Sequence, residues 1–84
     1  MIRVTIYSRP GCHLCDDMKD LVRKVGRTIP LTLEDIDIYG DDELEEKYGL
    51  EIPVLFVEGK RVAHARIKED ALIRILTSAS SSNF

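Results

Sequence analysis

Cysteine is scarce in this sequence: there are two in 84 residues. That is too few for the disulfide framework of a small secreted domain. Basic charge is not in excess either. Twelve Lys and Arg stand against fifteen Asp and Glu, a net charge of −3, which argues against nucleic acid as a partner. No apolar run is long. The richest, Leu50 to Val57, falls far short of the roughly 20 residues of a membrane-spanning helix, so no membrane partner is expected. Met1-Ile2-Arg3 leads directly into alternation, without a charged segment followed by an apolar one, so a cytoplasmic chain is expected. Internal repeats and interior linkers are absent too. The reading is one domain over residues 1–77, with 78–84 as a flexible serine-rich tail, burying about 60–65% of its unfolded surface.

Both cysteines lie in Tyr7-Ser8-Arg9-Pro10-Gly11-Cys12-His13-Leu14-Cys15. Ile2, Val4 and Ile6 alternate with Arg3, Thr5 and Tyr7, which predicts a strand. Pro10-Gly11 must end it. Leu14, Met18, Leu21, Val22 and Val25 then follow helical spacing, with Asp16 and Asp17 early, Arg23 and Lys24 late, and Gly26 as a stop. Cys12 therefore falls at a strand-to-helix junction, where unpartnered N–H groups and the helix dipole favour the thiolate. Cys15, one turn further in, shares a face with Met18 and Val22 and can close a disulfide with Cys12.

Other readings of the pair are weaker. A disulfide across four residues removes little chain entropy and stabilises weakly. A zinc knuckle needs further ligands, and the sequence offers only His13 and His64. No metal site is expected within one chain. A metal or iron–sulfur carrier would have to complete four thiolates across a dimer. A non-enzymatic adaptor that kept the fold only for binding is the other alternative.

Further along, Leu31-Thr32-Leu33 resumes alternation, but Ile36 and Ile38 are out of phase with it. Either the strand bulges near Glu34-Asp35 or it ends early. Asp41 or Asp42 can cap a short helix through Tyr48, whose acidic run reads as a solvated face. Ile52-Pro53-Val54-Leu55-Phe56-Val57 reads as a buried strand with Pro53 at its start. Glu58-Gly59 turns the chain into an edge strand, Lys60 to Ala65, and Ile67, Ala71, Leu72, Ile75 and Leu76 mark a last helix. The order is β-α-β-α-β-β-α. A right-handed crossover makes the first two strands parallel, and the hairpin adds an antiparallel pair. This predicts an α/β fold: a four-stranded mixed sheet flanked by three helices, with Cys12 at the carboxyl end of the first strand.

The segment at 7–15, Glu51-Ile52-Pro53-Val54 and the element order across 2–77 together resemble the short, divergent glutaredoxin-like proteins of the thioredoxin superfamily. The resemblance implies a thioredoxin-like fold and a cis peptide before Pro53, in a loop beside the cysteines. It also implies that the backbone of Ile52 pairs with a substrate strand and that Arg9 is a cation near the site. Two departures stand out. His13-Leu14 replaces the common Pro-aromatic pair, and Ala63-His64-Ala65-Arg66-Ile67 replaces the double glycine and acidic residues of glutathione-using members.

The expected activity is dithiol–disulfide oxidoreduction by a monomer with no resident cofactor. Cys12 is the nucleophile and Cys15 the resolving thiol; Arg9, Ile52 and Pro53 bind substrate; His13 and Asp16 tune the thiolate. The expected partners are a disulfide-containing protein or small thiol, and a reductase or thiol donor, with glutathione open as that donor.

Overall fold

The computed structural model describes residues 1–81. Its central element is β1 (Ile2–Ser8), whose Ile2, Val4 and Ile6 are all buried. Parallel to it runs β2 (Leu31–Asp37), in unbroken register from Ile2 opposite Leu31 to Ser8 opposite Asp37. On its other side β3 (Val54–Val57) is antiparallel, and β4 (Lys60–His64) pairs antiparallel with β3 at the edge. The sheet order is β2-β1-β3-β4. This is the four-stranded mixed sheet that the sequence predicts.

Two helices cover one face. The helix α1 (His13–Val25) buries Cys15, Met18, Val22 and Val25, and α3 (Glu69–Ser81) buries Leu72 and Leu76. They pack with Ile2, Val4, Ile6, Leu55 and Val57 into one core. Among the described residues the opposite face carries only α2 (Asp42–Tyr48), which buries no residue fully. Its Tyr48 stacks on Tyr7 at 4.5 Å between ring centroids, and Phe56 meets both rings edge-on. Asp41 caps α2 by accepting the Leu44 N–H at 3.1 Å. Among the described residues no helix is long and apolar enough to cross a membrane.

Three expectations need correction. First, β2 neither bulges nor ends at Glu34-Asp35. The apolar residues change face while the backbone stays regular. Asp35 occupies the helix-covered face because Ser8 Oγ donates to it at 2.7 Å and Lys19 Nζ lies 2.9 Å away. Ile36 falls on the other face, level with Tyr7. Second, β4 stops at His64 rather than Ala65, which turns to a φ of +63°. Third, the chain does not leave the fold at residue 77. The helix α3 continues to Ser81, since Ala79 packs on the core and serine lowers helix propensity only modestly. The remaining tail residues, 82–84, lie outside the described residues.

Candidate active site

The carboxyl end of β1, the amino end of β3 and the carboxyl end of β4 meet at one edge, because Tyr7 pairs with Val54 and Val54 with His64. From β1 the chain enters a tight turn in which the Cys12 N–H donates to Arg9 O at 3.3 Å. Pro10 suits the second position of such a turn, and Gly11, at φ +77°, supplies the left-handed third. Cys12 is then the N-cap of α1, with extended backbone angles of −91° and 109°. Its Sγ accepts the Cys15 N–H at 3.1 Å, the place usually taken by a serine or aspartate oxygen. A thiolate there gains more from the N–H and from the helix dipole than a neutral thiol does.

Cys12 and Cys15 are joined as a disulfide, with Cα atoms 5.1 Å apart. Cys12 is half-buried and Cys15 fully buried. The two sulfurs thus differ in access, as helical spacing requires. Just before the neighbouring strand β3 the Ile52–Pro53 peptide is cis. Pro53 is buried one residue before Val54, which places it level with the end of β1. Its carbonyl accepts the Ala65 N–H at 2.8 Å, which ties the segment after β4 to the same edge. That segment carries Ala65, Arg66 and Ile67, and with Leu14, Asp17, Met18 and Leu21 it lines a groove of about 250 Å³ along α1.

The other residues singled out in the sequence are distributed unevenly. His13 is the first residue of α1, 87% exposed, with Nε2 3.4 Å from Asp17 Oδ2 rather than held between the thiols. Asp16 is exposed in the first turn, and its N–H donates to Cys12 O at 3.1 Å. Arg9 is engaged elsewhere: its Nε donates to Glu45 Oε1 at 3.1 Å, and Nη2 contacts the same oxygen. Ile52 is half-buried beside Pro53, and His64 is exposed at the end of β4.

Two groups near the site were not singled out in advance. Glu45 was hidden in an acidic run that read as solvated. The Ser8–Asp35–Lys19 cluster left one trace, the broken alternation at Asp35. Burial raises the pKa of Asp35, but hydrogen bonds from Lys19 and Ser8, with the charges of Lys19 and Arg23, outweigh it and hold the carboxyl below its usual range. Among the described residues no three His, Cys, Asp or Glu side chains gather as a metal site. The CxxC pair offers two thiolates per chain, so a four-thiolate site needs a second copy.

A thioredoxin-like fold with a CxxC disulfide at the amino end of its first helix defines a protein of the thioredoxin superfamily. Within it, the chain belongs to the family described as Glutaredoxin-like domain (DUF836), whose sequence model matches residues 3–77. It is 31% identical over 77 residues to the Glutaredoxin-like protein YDR286C homolog of Dictyostelium discoideum, covering 84% of this chain and 71% of that protein. Protein Ne2328 from Nitrosomonas europaea superposes with a TM-score of 0.75 at 32% identity, over 88% of this chain and 89% of its own. Protein XcR50 from X. campestris does so at 0.75 and 29%, over 89% and 96%. A mutant thioredoxin from Halobacterium salinarum, at 23% identity and 0.63 over 92% and 73%, shares the fold.

Proposed function

We propose that this protein is a dithiol–disulfide oxidoreductase that reduces disulfides in partner proteins, working as a monomer in a reducing compartment such as the cytoplasm. One observation carries the reading: a half-exposed cysteine capping a helix is disulfide-bonded to a fully buried cysteine one turn on. In the reduced protein, Cys12 thiolate attacks one sulfur of the partner's disulfide. That S–S bond breaks, a Cys12–partner disulfide forms, and the released partner thiolate takes a proton from water. Cys15 then loses its proton and attacks Cys12 Sγ. The second partner thiol leaves, and the Cys12–Cys15 disulfide closes. Two electrons have passed to the partner, and an external thiol donor restores the dithiol. No resident cofactor enters this cycle. Ile52, beside the buried Pro53 and level with the end of β1, would receive an extended substrate segment by backbone pairing.

Single-cysteine variants test this, with insulin reduction by dithiothreitol as the assay. Cys12→Ser should abolish exchange, and Cys15→Ser should accumulate a mixed disulfide on Cys12. Equal alkylation rates for the two thiols, or an adduct on Cys15 in Cys12→Ser, would overturn the assignment.

A further inference from the structure

Arg9 opens the turn that presents Cys12, its carbonyl accepting the Cys12 N–H at 3.3 Å, so its side chain is the cation of that turn. The side chain is held by Glu45 instead, in the middle of α2 and 36 residues away in sequence, through Nε at 3.1 Å and through Nη2. Both side chains are 36% exposed. Gly49, one helical turn beyond Glu45, lies beside the pair: a Cβ there would fall 3.4 Å from Arg9 Nη2, while its clash would be with the Glu45 backbone carbonyl.

A guanidinium paired with a carboxylate presents little net charge to a third group, whereas an unpaired one would favour a nearby thiolate. We propose that Glu45 is a positioning residue of the redox site: it anchors the Arg9–Cys12 turn to α2 and cancels most of the cation's effect on the Cys12 thiolate. This rests on Cys12 being the attacking thiol. The family resemblance implies a cation near the site at Arg9; the pairing with Glu45 assigns it a structural hold and a muted charge.

Other charged groups stand at this end of the molecule: His13, Asp16 and Asp17 on α1, Asp37 at the end of β2, Asp41 before α2, Glu51 before Ile52, His64 at the end of β4 and Arg66 after it. His13 is paired with Asp17 and Glu51 with Arg61. All of them are common to the four members of a double-mutant cycle, so differences among the four report on Arg9 and Glu45 alone.

The cycle is run in the Cys15→Ser background by thiolate absorbance against pH. Glu45→Gln keeps an oxygen for Arg9 to bond but removes the charge, and should lower the Cys12 midpoint by about half a pH unit. Arg9→Gln leaves Glu45 unbalanced and should raise it by about as much. The double variant should return close to the parent. Shifts of both single variants in the same direction, as a merely structural hold would cause, or no shift in either, overturn the proposal. Mixed-disulfide formation, measured on the same proteins, reports separately on Cys12 as nucleophile. Its failure with the opposed shifts intact would remove the oxidoreductase reading and leave the Glu45 coupling standing.

Discussion

At the scale of single residues, the chain uses ion pairs to seat polar groups where periodicity would call for apolar ones. Asp35 is the clearest case. It sits on the helix-covered face of β2 and is tied to Lys19, which is only 15% exposed. Its folded pKa lies below the ordinary value near 3.8. A carboxyl depressed in the folded state contributes stability above its unfolded pKa and loses it as pH falls through the folded value. Asp35 is itself 38% exposed, so solvent screening keeps the contribution to about 1 kcal/mol or less. Asp35→Asn should therefore lower unfolding stability by roughly that amount at pH 7. The gap from the parent should narrow at acid pH, as pH falls through the lowered folded-state pKa of Asp35. Urea unfolding at neutral and at acid pH checks this, and an equal gap at both would assign the loss to packing.

The elements differ in how they are held. Helices α1 and α3 are fastened by fully buried side chains, while α2 has none and relies on its Asp41 cap, the Arg9–Glu45 pair and the aromatic contacts of Tyr48. Few buried apolar contacts mean a low free energy of local opening. The amides of α2 should exchange with solvent faster than those of α1 and α3. Removing the cap with Asp41→Ala costs about 1 kcal/mol and should speed α2 exchange about fivefold. Exchange in α1 and α3 should not change. A uniform acceleration would mean that α2 opens only when the whole domain unfolds.

Considered as a whole molecule, the fold brings a disulfide, a cis-proline loop and the segment after β4 to one edge of a four-stranded sheet. The end of β4 and the segment after it run Ala63-His64-Ala65-Arg66-Ile67, with side chains that hold a tripeptide's backbone further from this edge than glycine would. Glutathione should accordingly be a poor electron donor and a dithiol reductase a better one. Steady-state insulin reduction with each donor, at matched thiol concentration, decides between them. Equal rates would show that the side chains at 63–67 do not obstruct the tripeptide.

What the sequence determined by itself is what acts over a few residues. Alternation in β1, the Pro10-Gly11 break, helical spacing from Leu14 and the Asp41 cap specify the element order and much of the core. They also place one cysteine at the tip of α1 and the other inside. The tertiary structure decided what depends on how distant segments dock. Arg9 meets Glu45 only once α2 lies beside the turn, and Asp35 replaces an apolar residue only because Lys19 and Ser8 converge on it. The end of α3 was settled by the core surface that receives Ala79. Periodicity, capping and turn chemistry are properties of one segment, whereas the partner of a charge belongs to the arrangement of several.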